Sequence, residues 1–146
     1  MVTVRPATAG DQAAIVHIVR AAQINPMDLK WPNFAVAVEE DTGAVVATGQ
    51  IKRHGDGSHE LASIATLPAY QRRGIAHQII NYLMARHPAV LYLTCLDTMA
   101  PFYTQFGFRK IEPAEMTPYF RRLKRMMSTF GFLRDTGRQL VVMKRS

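Results

Sequence analysis

The run Gln71-Arg72-Arg73-Gly74-Ile75-Ala76 holds the residue types in this 146-residue chain best suited to gripping an anion. It lies between a strand-like stretch that ends at Pro68 and an apolar helical pattern that begins near Gly74. The first N–H groups of a helix have no partner within it, and the helix dipole adds partial positive charge at that end. Such a turn suits a phosphate or pyrophosphate. Gly74 and Ala76 carry little bulk and let a ligand approach the backbone, while Arg72 and Arg73 supply cations for phosphate oxygens. An ordinary helix start with two solvated arginines uses the same residues, and the turn alone does not separate the two readings. No Gly-Lys-Ser/Thr follows and the three-glycine dinucleotide pattern is missing, so nucleotide hydrolysis and hydride transfer drop out. His54, Asp56 and His59 crowd the loop before Glu60 and read as solvated rather than metal-bound. Cys95 follows a strand and reads as a small buried hydrophobe, with no histidine tied to it by sequence. No metal site is expected.

The elements that must position this turn alternate strand and helix. Val2–Arg5 is a short strand, and Thr8-Ala9-Gly10-Asp11 spells a capping box ahead of a helix whose Ala14, Ile15, Ile18, Val19 and Ala22 share a face. That pattern stops near Asn25-Pro26, and the stretch to Asn33 reads as a loop in which Trp31 either lines a site or packs on the body. The apolar runs 34–38 and 44–47 flank Glu40-Asp41-Thr42-Gly43, a hairpin turn between antiparallel strands. A strand over 60–67 leads into the basic turn. Ile75, Ala76, Ile79, Ile80, Leu83 and Met84 then describe a helix burying one face. A strand at 90–94, a short helix over 97–106, a strand at 107–111, an amphipathic helix over 117–130 and a last strand at 140–143 complete the order β-α-β-β-β-α-β-α-β-α-β. This predicts one α+β domain over residues 1–146, with a helix inserted between the last two strands.

A chain of this length buries enough surface to hold a core without disulfides or metal, and one cysteine could supply neither. No stretch approaches 18 apolar residues and the first six residues lack a signal-peptide layout, so a soluble cytoplasmic protein with no membrane partner is expected. Residues 1–108 carry 8 Lys/Arg against 8 Asp/Glu, whereas residues 109–146 carry 10 against 3, which is the whole net charge of +7. A basic C-terminal quarter invites an anionic ligand, an acidic partner or nucleic acid, and a solvated face accounts for it equally well.

The turn at 71–76, the strand before it and the helix after it, followed about 30 residues later by Tyr103-Thr-Gln-Phe-Gly107-Phe108, together resemble the GNAT superfamily of acetyl-CoA-dependent N-acetyltransferases. The resemblance extends from the opening Val4-Arg5-Pro6-Ala7-Thr8 over nearly the whole chain. It implies a mixed, mostly antiparallel central sheet flanked by helices, with one splayed strand against which acetyl-CoA lies. On it, the amides of Gln71, Arg72, Arg73, Gly74, Ile75 and Ala76 hold the coenzyme pyrophosphate. Ile64, Ala65 and Thr66 line the pantetheine arm, Ile64 and Thr66 bonding it through their backbone, and the Ile64 amide faces the thioester carbonyl. Tyr103 stands where the family places a tyrosine that protonates the departing thiolate.

The same resemblance makes Glu60, eleven residues before Gln71, the candidate general base. Strand alternation would put it on one face with Ala62, Ile64 and Thr66. Four strand residues separate it from Ile64, roughly 13 Å at about 3.3 Å per residue, so the proton would travel through water or the amine would reach toward Glu60. A salt bridge at a strand start is the competing role for that carboxylate. The family's asparagine seven residues before the tyrosine is Leu96 here, and its second loop glycine is Ala76. The acceptor expected is the primary amine of a small molecule, with a protein or RNA amine as the competitor. A non-catalytic coenzyme- or nucleic-acid-binding module is the other class. The inserted helix either lids the site or packs its Met126, Met127 and Phe130 on the body or on a second subunit, which leaves a homodimer open.

Overall fold

A computed structural model of the chain describes residues 1–129 and 139–146. They form two compact units, Met1–Lys52 with Leu61–Pro88, and Arg53–Glu60 with Ala89–Ser146. The first unit carries β1 (Val2–Pro6), α1 (Gln12–Ala21), β2 (Phe34–Glu39), all but the last residue of β3 (Val45–Arg53), most of β4 (His59–Thr66) and α2 (Ile75–Ala85). Its strands lie in the order β1-β2-β3-β4. β1 pairs antiparallel with β2 from Val2↔Glu39 to Pro6↔Ala35, and β2 with β3 from Phe34↔Gln50 to Ala37↔Ala47, where the register shifts. The capping box forms as the sequence requires: Asp11 accepts the Thr8 N–H at 2.7 Å and also takes a two-pronged contact from Arg5 at 2.7 and 3.1 Å. A backbone N–H and a guanidinium on one carboxylate thereby fix where α1 begins.

One face of this sheet is closed by Ala7, Ile15, Val19, Phe34 and Val36, with Leu29 and Trp31 packed against them. Trp31 is therefore a packing residue of that cluster. The other face meets α2 through Ile79 and Leu83, and Gly49 of β3 is small for that reason. A Cβ there would lie 2.5 Å from the Ile79 Cγ2 and 2.8 Å from the Ile64 Cδ1.

The second unit contains β5 (Leu91–Leu96), α3 (Ala100–Thr104), β6 (Arg109–Lys110), α4 (Pro118–Thr129) and β7 (Leu140–Arg145). β4 enters it through His59 and Glu60, and its parallel ladder with β5 is the single pair Glu60↔Tyr92. β5 pairs antiparallel with β7 from Leu91↔Arg145 to Leu96↔Leu140, and β7 with β6. Its core is Tyr92, Ile111, Met116, Phe120 and Val142. Gly107, at φ +91°, turns the chain from α3 into β6, a left-handed conformation that favours glycine.

The element order is the one read from the sequence, and the architecture is a mostly antiparallel α+β fold with a one-pair parallel junction at β4. Three details differ. β3 continues from the apolar 45–47 run to Arg53, because Thr48, Gln50 and Lys52 are buried and alternate with Gly49 and Ile51. Ser63 sits at φ +58° in the middle of β4, so the alternation that would carry Glu60's face through to Ile64 and Thr66 is broken there. In α4, Phe120 is fully buried but Met126 is 49% exposed, and Phe130 lies outside the described residues.

Candidate active site

The turn after β4 is shaped by its own backbone. Pro68–Tyr70 makes one short helical turn, then Arg72 (φ +64°) and Gly74 (φ +76°) adopt left-handed conformations before α2 starts at Ile75. Nothing lies within 4 Å of where a Gly74 Cβ would be, so glycine answers the backbone angle there rather than a lack of space. Left-handed residues among ordinary ones can turn successive N–H groups toward a common side, the backbone pattern that, at the start of a helix, suits an anion. Residues 71–74 are exposed while Ile75 anchors the helix in the core. The Gln71 side chain donates to the Thr66 carbonyl at 3.1 Å, fastening the turn to the strand that precedes it. Arg73 rests on the Tyr70 ring, 5.1 Å from its centroid.

Ile64, Ala65 and Thr66 follow directly on the left-handed Ser63. That residue is held from both ends: its carbonyl accepts from the Thr48 hydroxyl at 2.9 Å, and its hydroxyl accepts from the Gln50 amide at 2.8 Å. A non-glycine residue in this conformation costs on the order of 1 kcal/mol or more, and two bonds from fully buried partners fix it. Sequence reasoning missed Thr48, Gln50 and Lys52. Their signal was a strict alternation of polar residues continuing an apolar strand.

Glu60 belongs to the second unit and is 6% exposed. Its Oε1 lies 2.7 Å from the His54 Nε2, so its carboxylate is neither free nor a surface group. The hairpin turn between β3 and β4 makes this contact: the His54 N–H donates to the Ser58 carbonyl, closing the turn, and Asp56 accepts from the Ser58 N–H and hydroxyl. Asp56 also accepts the Tyr119 N–H at 3.0 Å, satisfying a free donor in the first turn of α4. These bonds, the Ser58 hydroxyl first, hold the Asp56 carboxyl well below the usual carboxylate range. His54 stacks on Tyr119 with ring centroids 3.6 Å apart. The His54 imidazole, expected to be solvated, is thus a structural part of the Glu60 environment at 11% exposed, while Asp56 is exposed and holds the turn and the start of α4.

Tyr103 lies on α3 of the second unit, edge-on to Phe102 and Phe108. Burial pushes its phenol up to about 12, so it keeps its proton at any neutral pH. Cys95 is likewise raised to about 11 by burial and contacts the Met143 sulfur, the environment of a packing thiol. Among the described residues, no group of three or more His, Cys, Asp and Glu is placed to hold a metal ion, and no helix is long and apolar enough to cross a membrane.

A strand with a left-handed break thus runs into a turn with two left-handed residues and the helix that the turn opens. Residues 31–110 match the family Acetyltransferase (GNAT) domain. The chain belongs to the GNAT acetyltransferase family. No curated protein matches the sequence. Among solved structures, N-acetylglutamate synthase from Neisseria gonorrhoeae, complexed with coenzyme A and N-acetyl-glutamate, is similar at a TM-score of 0.76 and 16% identity, covering 99% of this chain. The chain spans only 35% of that protein. Rv2747 from Mycobacterium tuberculosis, in complex with CoA and NLQ, is similar at a TM-score of 0.72 and 22% identity, with 98% of both chains covered. The ribosomal-protein-S18-alanine N-acetyltransferase from Escherichia coli gives 0.67 and 18%, covering 99% of this chain and 93% of that one. At these identities the likeness is one of fold.

Proposed function

We propose that residues 1–146 form one cytoplasmic N-acetyltransferase domain that moves the acetyl group of acetyl-CoA to the primary amine of a small molecule. The observation that carries this reading is the turn at 71–76, whose left-handed Arg72 and Gly74 lead into α2 inside a GNAT domain. There the amides of Gln71 to Ala76 receive the pyrophosphate, with the Arg72 and Arg73 guanidinium groups as counter-charges. Ile64, Ala65 and Thr66 line the pantetheine arm.

In the reaction the amine nitrogen attacks the thioester carbonyl carbon and forms the C–N bond, giving a tetrahedral intermediate whose C–S bond then breaks. The Ile64 N–H stabilises the oxygen that carries charge in between. Glu60 accepts the proton lost by the amine, through water, and His54 holds its carboxylate in place. Tyr103 gives a hydrogen bond, then a proton, to the departing thiolate, and solvent returns both residues to their starting states. No metal takes part. A protein or RNA amine draws less support: Arg121, one of the basic residues that would bind it, is engaged by the Pro113 and Met116 carbonyls.

Calorimetric titration of acetyl-CoA without metal tests the reading, followed by thiol release with a panel of amines. One site per chain at micromolar affinity, with turnover on at least one amine, is expected. A folded protein that takes up no acetyl-CoA refutes it. Binding without turnover on any amine would make the chain a coenzyme-binding module instead.

A further inference from the structure

On the α1 side of β3, Thr48, Gln50 and Lys52 form a buried polar row on a sheet face otherwise closed by Phe34, Val36 and Trp31. Two of the three are not fully used by the protein. The Gln50 amide nitrogen donates to the Asp28 carbonyl at 3.3 Å and to the Ser63 hydroxyl at 2.8 Å. A carbonyl can only accept, so that contact fixes which end of the amide is nitrogen and leaves Oε1 pointing elsewhere. Gln50 Oε1 is buried and, among the described residues, has no hydrogen-bond partner. Lys52 is 6% exposed, and among the described residues its ammonium has one contact, the Met27 carbonyl at 3.3 Å. No carboxylate lies within ion-pair distance of it among those residues.

A buried acceptor without a donor and a buried cation without an anion are each costly, by roughly 1–3 kcal/mol for the former and more for the latter. Their demands are complementary: Oε1 requires an N–H, and Nζ, with donors to spare, requires an anion. What covers them is backbone of an irregular, exposed segment. It carries left-handed, non-glycine residues at Gln23 (φ +57°) and Asp28 (φ +57°), the second beside the Met27 carbonyl that Lys52 holds.

We propose that Lys52 and Gln50 recognise the acceptor, and that it is a free amino acid, its carboxylate on the Lys52 ammonium and its amine on Gln50 Oε1. The proposal rests on the acetyltransferase reading for the fate of that amine. Gln50 holds Ser63, which directly precedes the Ile64 amide assigned to the thioester carbonyl, so the amine would be bound one residue from the acetyl-handling backbone.

The test is acetyl transfer from acetyl-CoA to the twenty amino acids, each compared with its carboxamide and its decarboxylated amine. Alongside it, amino acids are titrated calorimetrically into the protein with and without coenzyme A. A charge-assisted contact of this kind is worth about 10- to 150-fold, so at least one acid should exceed its amide by that factor in kcat/KM. Lys52→Met should erase the preference by raising KM, with acetyl-CoA affinity unchanged. Equal kcat/KM for acids and amides would overturn the proposal, as would an acid KM in Lys52→Met within twofold of wild type. Loss of acetyl-CoA binding by wild type would strike the acetyltransferase reading instead. Amino-acid heats, abolished in Lys52→Met, would still uphold the site, and their absence for all twenty acids would remove it. The acid–amide comparison needs only the wild-type chain, so it decides the matter even where the variant fails to fold.

Discussion

Replacing Glu60 with glutamine and, separately, with alanine divides what its carboxylate does for the fold from what it does for the reaction. The carboxylate is buried with its Oε1 2.7 Å from His54, and His54 is stacked on Tyr119. Glutamine keeps an oxygen at the same reach, so the hydrogen bond survives without its charge, a loss of about 1 kcal/mol. Alanine removes the partner altogether. A buried imidazole nitrogen left unpaired costs about 1–3 kcal/mol, and the lost side-chain packing brings the total to roughly 2–4 kcal/mol. For a chain of this size 1 kcal/mol moves the melting temperature by about 3–4 °C. Glu60→Gln should therefore melt about 3–4 °C lower and Glu60→Ala about 6–15 °C lower. A general base contributes on the order of 10² to 10⁴ in rate, so both variants should lose at least 100-fold in kcat while binding acetyl-CoA normally. Melting by circular dichroism, coenzyme titration and thiol release read the three quantities on the same samples. Full turnover by Glu60→Gln would refute the base assignment, and equal melting temperatures for the two variants would refute the account of the His54 contact.

Gly74→Ala places a side chain in a left-handed conformation, at about 1–2 kcal/mol, in a spot where it meets no other atom. The expected result is acetyl-CoA affinity weaker by about 5- to 30-fold, read by calorimetry, and unchanged affinity and melting would count against the turn as the coenzyme site. Tyr103→Phe should lower kcat by about 100-fold with little change in acetyl-CoA KM. Because burial holds the phenol at about 12, the wild-type rate should not fall near pH 10 through its ionisation. The Arg5 contact, helped by the Thr8 N–H, lowers the Asp11 pKa, so the pair stabilises the fold above the unfolded value of about 3.9 and loses that contribution as pH falls below it. Arg5→Met should thus cost about 0.5–1 kcal/mol at pH 7, a part-exposed pair being weak, and the gap from wild type should close by about pH 2 in urea titrations.

The element order was legible because each boundary carries local chemistry: the Thr8–Asp11 box, the glycine and proline punctuation, and the four-residue apolar repeat of α2. The turn at 71–76, the proposed coenzyme site, could be picked out for the same reason, since Arg72, Arg73 and Gly74 are neighbours in the chain. What escaped depends on contacts between distant residues or on backbone angles without a residue signature. Nothing in Ala62-Ser63-Ile64 announces a left-handed serine. That geometry comes from Thr48 and Gln50, fifteen and thirteen residues earlier in the chain. The His54–Glu60 contact requires the 54–58 turn to close, and a histidine beside two glycines reads as solvated until it does.

Thr48, Gln50 and Lys52 share a physical logic that apolar residues in their places would not provide. Valine or leucine at these positions would pack against Phe34 and Val36 and raise stability, since an unpaired amide oxygen and a buried cation would vanish from the core. Such residues could not hold Ser63 in its left-handed conformation, and β4 would then relax to regular alternation. The strand that carries Ile64, Ala65 and Thr66 would lose the break just before the residues proposed to face the coenzyme. Thr48 and the Gln50 amide nitrogen are accounted for by this structural work. The Gln50 oxygen and the Lys52 ammonium are not, because Ser63 needs neither of them. Stability given up at the Gln50 oxygen and the Lys52 charge, beside the backbone proposed to handle the acetyl group, is the physical argument for a ligand there.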